Sequence, residues 1–267
     1  MITSTGNQQM KEIVQLQKKS KARCKQRVFV VEGPKMVFEV PKEQLVSLYV
    51  SESFLQDPDA EHKLKMLGCS YETVSDSILK SVSDTKTPQG ILAIVKMPSY
   101  TLGDLYGAFS QTGKEGAAPH LLVLESIQDP GNLGTILRTG EGAGISGILM
   151  NRTTVDLFHP KVIRSTMGSI FRVPFYIADD LQAAVRQLKE SGIQVYAAHL
   201  DGRACYDQMD YRLGCAFLIG NEGNGLTPEL ASLADAYIRI PMEGNVESLN
   251  AAIAAALLMY EVKRQRR

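Results

Sequence analysis

The sequence lacks any apolar stretch able to cross a bilayer: its longest run, Ala251 to Tyr260, is about half of the roughly 20 residues a span requires. The N-terminus carries charges where a secretory signal needs an unbroken apolar segment, so no membrane association and a cytoplasmic location are expected. Cysteine is scarce. Cys24, Cys69, Cys205 and Cys215 include no CxxC pair, and His62, His120, His159 and His199 are equally dispersed. This spacing offers neither a tetrahedral metal set nor a histidine-centred catalytic pair, so no metal is expected and the cysteines read as reduced and structural. Internal repeats and low-complexity segments are missing. So is the dinucleotide fingerprint: Gly220, Gly223 and Gly225 follow G-x-x-G-x-G rather than G-x-G-x-x-G.

Net charge is also missing, with 29 basic and 29 acidic residues, but the balance hides an asymmetry. Residues 1–35 hold eight basic side chains (Lys11, Lys18, Lys19, Lys21, Arg23, Lys25, Arg27, Lys35) against Glu12 and Glu32. Residues 263–267 add Lys263, Arg264, Arg266 and Arg267, leaving 17 basic and 27 acidic residues between 36 and 262. Two basic ends on an acidic body suit a partner with a phosphate backbone.

What remains is an ordinary folded composition, 44% hydrophobic over 267 residues, a length that suits two domains better than one. Gln9 to Cys24 has helical periodicity with a basic outer face. Apolar β-branched runs at 28–31, 45–50, 70–74 and 91–95 alternate with helical stretches at 35–40, 60–67 and 76–82, which predicts a small α/β domain over residues 1–97. Residues 98–118, rich in Gly, Pro and Ser around one short possible helix, read as a linker. Beyond it, runs at 121–124, 147–150, 174–177, 194–198, 216–219 and 237–240 are separated by helical patterns at 132–142, 160–167, 181–190, 228–233 and 248–264. Continuous apolar strands between amphipathic helices predict a parallel sheet covered on both faces over residues 119–267. Such sheets bind ligands outside the carboxyl ends of their strands.

Three junctions there are polar and rich in Gly and Asn. Asp129-Pro130-Gly131-Asn132 turns the chain into a helix that carries Arg138. Gly220-Asn221-Glu222-Gly223-Asn224-Gly225 follows a strand and admits close approach of a flat ligand. Ile240-Pro241-Met242 ends a strand, and Ser248-Leu249-Asn250 opens an Ala/Leu helix that must be buried against the sheet or a second subunit.

Together these blocks resemble the three signature motifs of the SpoU/TrmH family, AdoMet-dependent RNA ribose 2′-O-methyltransferases of the SPOUT superfamily: N-x-G-x-x-x-R at 132–138, GNEG-x-G at 220–225 and IPM-x-G-x-x-x-SLN at 240–250. The likeness spans about residues 120–264 and continues in HPKVIRSTMGSIFRVP, residues 159–174. FVVEGPKMVFEV (29–40) and SDTKTPQGILAIV (83–95) resemble the substrate-binding domain that precedes the catalytic domain in many members, with a fold similar to RNA-binding ribosomal proteins. The resemblance implies a deep C-terminal trefoil knot, a homodimer and a site for S-adenosyl-L-methionine (AdoMet). It assigns Gly220, Ile240, Leu249, Met242, Ala198, His199 and Leu200 to the cofactor, and Asn132, Arg138, Glu222, Ser248 and Asn250 to catalysis.

Because a guanidinium stays charged at any working pH, Arg138 is better suited to grip a phosphate or a developing alkoxide than to act as the base proposed for that position in the family. Ribosomal RNA of the 23S type is the expected substrate. Transfer RNA, methylation of a base nitrogen, and a non-catalytic RNA-binding or ribosome-assembly role are the alternatives.

Overall fold

The computed structural model describes residues 1–111, 118–200, 202–245 and 248–267. The helices are α1 (Gln8–Lys18), α2 (Ser20–Gln26), α3 (Pro34–Val37), α4 (Glu52–Leu55), α5 (Pro58–Leu67), α6 (Asp76–Val82), α7 (Leu102–Gln111), α8 (Pro130–Ala143), α9 (Pro160–Thr166), α10 (Leu181–Glu190), α11 (Pro228–Ala231) and α12 (Ala251–Gln265). The strands are β1 (Val28–Glu32), β2 (Leu45–Ser51), β3 (Glu72–Val74), β4 (Ile91–Lys96), β5 (His120–Leu124), β6 (Gly147–Asn151), β7 (Phe175–Ala178), β8 (Gln194–Ala198), β9 (Ala204–Cys205), β10 (Cys215–Ile219) and β11 (Ala236–Arg239). The chain divides into two units, Met1–Pro98 with Phe158–Phe171, and Ser99–Leu157 with Arg172–Arg267.

The first unit is built on a four-stranded sheet in the order β1-β4-β2-β3. β4 runs antiparallel to both neighbours, and β2 and β3 are parallel. Strand alternation gives each face its own core. Val28 and Val30 join Met10, Ile13 and Leu16 of α1 and Leu79 and Val82 of α6 on one face. On the other, Phe29 packs against Phe158 and Phe171, with ring centroids 4.9 and 6.2 Å away. That aromatic contact draws Phe158–Phe171 into the first unit, although the sequence reading kept it within 119–267.

Two expectations about the basic segments change. The helix predicted over Gln9–Cys24 breaks at Lys19, whose backbone is extended. Arg23, expected on a solvated face, is buried, and its Nη1 donates to the carbonyls of Leu16 (2.5 Å) and Gln17 (2.9 Å), capping the end of α1. The other seven basic residues of that segment are exposed.

The second unit is a seven-stranded sheet, all parallel, in the order β7-β6-β5-β10-β8-β11-β9. The order reverses between β5 and β10, the place where such sheets open a crevice. One face carries Leu181, Ala184, Val185 and Leu188 of α10, Leu230 of α11, and Leu102 and Leu105 of α7. α7 therefore belongs to this core although its sequence fell in the expected linker; residues 112–117 of that linker lie outside the described residues. On the other face α12 packs on α8, β5 and β10 through Ala251, Ala252, Ala255, Leu258, Met259 and Val262. Burial of α12 is one-sided, because Ile253, Leu257 and Tyr260 form an exposed stripe at helical spacing.

The basic tail is bonded rather than free. Arg266 donates to the carbonyls of Ala118 (2.5 Å), Pro119 (3.2 Å), Tyr211 (2.8 Å) and Leu213 (2.5 Å) at the amino edge of the sheet. Lys263 donates to Gly142, and Arg264 pairs with Glu261.

Next to Arg266, the buried His120 lies edge-on to Phe217, and burial together with the nearby guanidinium pushes its pKa from 6.5 down to about 3. The unfolded chain therefore takes up this proton at a higher pH than the folded one. The contribution is complete above pH 6.5 and is lost progressively as pH falls toward 3, by about 1.4 kcal/mol per pH unit. Urea unfolding between about pH 4 and 6 should show this slope in the wild type and a flatter one in His120→Asn.

Candidate active site

The site is assembled at the carboxyl ends of β5, β10, β8 and β11. After β5 the chain reverses through Ser126, a non-glycine residue with φ 57°. Asn151 at the end of β6 secures that conformation: its Oδ1 accepts from the Ser126 N–H (2.9 Å), and its Nδ2 donates to Ser126 Oγ (3.0 Å). Asp129 then caps α8 by accepting from the Asn132 N–H (2.9 Å), with Pro130 at the first helical position. Asn132 thus stands in the first turn with its side chain free of capping duty.

The loop after β10 closes on itself. The backbones of Asn221 and Gly225 bond each other in both directions (3.0 and 2.9 Å). Asn221 Oδ1 accepts from Gly223 and Asn224, and its Nδ2 donates to the Ser126 carbonyl (2.8 Å). A Cβ on Gly220 would lie 2.1 Å from the Gly225 carbonyl carbon, so only glycine permits the crossing. Glu125 fixes the far end by accepting from the Thr227 N–H (2.8 Å) and hydroxyl (2.7 Å).

Glu222 leaves this loop toward α8 and accepts from the N–H groups of Gln128 (3.0 Å) and Asp129 (3.1 Å) and from Asn132 Nδ2 (3.0 Å). Asn132 Oδ1 accepts from Asn250 Nδ2 (2.9 Å), and Asn250 Oδ1 caps α12 by accepting from Ala252 (2.9 Å) and Ile253 (3.3 Å). The carboxylate can only accept, which orients each amide in turn. Desolvation pushes the Glu222 carboxyl up, but the hydrogen bonds from Asn132, Gln128 and Asp129 outweigh it and hold the group below the ordinary carboxylate range.

These loops enclose a cavity of about 830 Å³, within the range of small-molecule sites. All seven residues expected at the cofactor line it: Ala198, His199, Leu200, Gly220, Ile240, Met242 and Leu249. So do Glu222, Ser248 and Asn250, and Asn132 reaches it through the bonds to its two partners. Ile219, Leu226, Ile238 and Ile240 supply apolar wall, and Ala251 and Ala254 keep the floor low. With close backbone at 220–225 and apolar walls, the cavity has the size and lining of a site for a flat, nucleoside-sized molecule.

Arg138 departs from the expected convergence. It stands exposed six residues beyond Asn132, on another face of α8, and does not line the cavity. It lies one turn before Gly142, where a Cβ would sit 3.2 Å from the Tyr260 hydroxyl, so it borders the exposed stripe of α12. Asn151 and Glu125 were not among the expected site residues. A polar residue ending the apolar run GILMN and a carboxylate after HLLVL were the available signals.

Comparison with known proteins follows the same lines. The profile of the SpoU rRNA Methylase family matches residues 119–260, and that of the MRM3-like substrate binding domain matches residues 7–93. The 23S rRNA (guanosine(2553)-2′-O)-methyltransferase RlmP of Bacillus subtilis (strain 168) is 32% identical over 262 residues, covering 98% of each chain. The crystal structure of an AdoMet-bound rRNA methyltransferase from Sinorhizobium meliloti superposes with a TM-score of 0.84 at 32% identity, covering 98% of this chain and 97% of that one. A solved RNA 2′-O ribose methyltransferase gives 0.80 at 30% identity, covering 99% and 98%.

Because Glu222 sits below its ordinary pKa, its contribution is complete at neutral pH and is lost only on acidification through the carboxylate range. Glu222→Gln should replace one of the two acceptor oxygens with an NH₂ that faces an N–H donor. The expected result at neutral pH is a loss of about 1–2 kcal/mol in unfolding free energy. Faster hydrogen exchange at the Ala252 and Ile253 amides, read by NMR, should accompany it.

Proposed function

Because the chain belongs to the SpoU rRNA methylase family, we propose that it transfers the methyl group of AdoMet to a ribose 2′-hydroxyl of ribosomal RNA, of the 23S type. The observation that carries this reading is the bonded series Glu222–Asn132–Asn250, which joins all three motif loops around one cavity. A decayed, purely RNA-binding relative would have no use for it. The 23S rRNA 2′-O-methyltransferase that is similar over the full chain supports the substrate, and the AdoMet-bound structural relative supports the cofactor.

AdoMet, when bound, supplies a methyl group already activated by its sulfonium. The chain must then orient the ribose hydroxyl and manage its proton. Backbone at Gly220, Ile240 and Leu249 holds the cofactor against Met242 and the Ala198–Leu200 wall. Asn132 and Asn250, fixed by Glu222 and the α12 cap, present a rigid polar edge to the ribose, with Ser248 adding a hydroxyl. Positioning of this kind can supply several kcal/mol, of the order of 7–11 in favourable cases. Glu222 accepts three hydrogen bonds and is committed to them. A guanidinium is a donor-only group suited to anions, so Arg138 serves as the cation for the target phosphate or the developing alkoxide, and the proton leaves through phosphate or water.

Position supports a homodimer as part of this reading. Ile253, Leu257 and Tyr260 offer an uncovered apolar stripe, and a second copy seated there would bring Arg138 to the interface. A trefoil knot belongs to the reading too. It is supported by β11 lying beyond β8 in the sheet while α12 packs back on α8. A cytoplasmic site of action is part of the same reading.

The test is transfer of labelled methyl from AdoMet to unmodified large-subunit rRNA, followed by alkaline hydrolysis. The expected product is an alkali-resistant dinucleotide, lost by about 100-fold or more in Asn132→Ala. Label confined to transfer RNA or to a base would overturn the assignment. Near-normal turnover in Arg138→Lys would remove the need for a guanidinium fork. In sedimentation, Leu257→Lys should shift the wild-type dimer to monomer.

A further inference from the structure

Two segments that carried the family likeness, FVVEGPKMVFEV and SDTKTPQGILAIV, take no part in the cofactor cavity, yet the first unit brings them together. Glu32, the last residue of β1, spends its carboxylate on the loop at residues 83–89. Oε1 accepts from the hydroxyls of Ser83 (2.8 Å) and Thr85, and Oε2 accepts from the Asp84 N–H (3.2 Å). The next residue, Gly33, has φ 89°, and a Cβ there would lie 2.9 Å from Gln89 Oε1. Glu32 thus holds the start of the loop by three hydrogen bonds, and Gly33 leaves room for Gln89 at its far end.

The charges of this edge divide unevenly. Glu32 is committed to the loop, and the other carboxylate of the loop, Asp84, is paired with Arg164 at 2.5 Å. Asp76, at the same end of the sheet, is tied to the hydroxyl and N–H of Ser53. Lys86, at the middle of the loop, and Lys35, on the first turn after Gly33, are exposed and make no ion pair among the described residues. A half-buried carboxylate that orders a surface loop adds little to a core. It does lower the entropy cost of presenting a lysine in one place.

We propose that the loop at residues 83–89 is a preorganised contact for an RNA phosphate backbone, with Lys86 as the phosphate partner and Glu32 as the positioning residue that fixes it. This rests on RNA being the substrate, as argued above. It locates that contact at the Glu32 end of the sheet, opposite the Arg27 and Lys96 end where α2 delivers its own lysines.

The experiment measures binding of the full chain to an unmodified large-subunit rRNA transcript over a range of salt, for wild type, Lys86→Ala, Glu32→Gln and the double variant. AdoMet affinity by calorimetry is the control for folding. Lys86→Ala should raise Kd several-fold and reduce the slope of log K against log salt by about 0.7, the share of one phosphate contact on a single strand. Glu32→Gln should raise the RNA KM rather than lower kcat, and should erase at least half of the effect of Lys86→Ala in the double variant, a coupling between side chains that do not touch. A merely structural Glu32 would give additive effects. An unchanged salt slope in Lys86→Ala overturns the proposal, as does a loss of slope in Lys25→Ala alone, which would put the RNA at the opposite end. Both outcomes leave the methyltransferase reading intact so long as the wild type still labels ribose. Absence of labelling by the wild type is the failure of that reading instead.

Discussion

A single carboxylate sets the direction of the hydrogen bonds that join the three motif loops. Glu222 can only accept, so Asn132 must turn its NH₂ toward it and offer its carbonyl oxygen to Asn250. Asn250 must then turn its own carbonyl oxygen to the open N–H groups of α12. Three loops from distant parts of the chain are thereby locked in one sense of polarity, and no amide can flip without leaving a donor facing a donor. The cavity wall at 220–225 and the start of α12 inherit their geometry from this arrangement.

The rest of the cavity depends on the absence of side chains. Gly220 passes so close to Gly225 that no Cβ fits, and Ala251 and Ala254 leave room where a longer helix residue would intrude. Backbone thus does most of the enclosing, and the sheet supplies the rigidity, with β10 buried along its whole length between β5 and β8. The same sheet explains why the site lies where it does. The strand order reverses between β5 and β10, and the loops leaving their carboxyl ends diverge to open the crevice.

Much of this was legible in the sequence, because period-2 and period-3.6 patterning report burial directly. The apolar runs became strands within two residues of their expected ends, and the motif blocks fall in loops that meet around one cavity. What was illegible depended on side-chain reach. Nothing in a run of lysines distinguishes Arg23, which turns inward to cap α1, from neighbours that stay in water. Nothing in the tail showed that Arg266 would end on four backbone carbonyls. The motif spacing N-x-G-x-x-x-R reads as a cluster along the chain, but six residues carry Arg138 well around the helix from Asn132. The packing of Phe158 and Phe171 on Phe29 is likewise a long-range match of shapes that no local pattern encodes.

The series from Glu222 through Asn132 to Asn250 joins residues 90 and 118 positions apart in the chain. Contacts of such sequence separation carry the entropy cost of closing long loops. The cavity they border exists only where all three loops are in place. A small molecule bound there stabilises the complete topology by mass action.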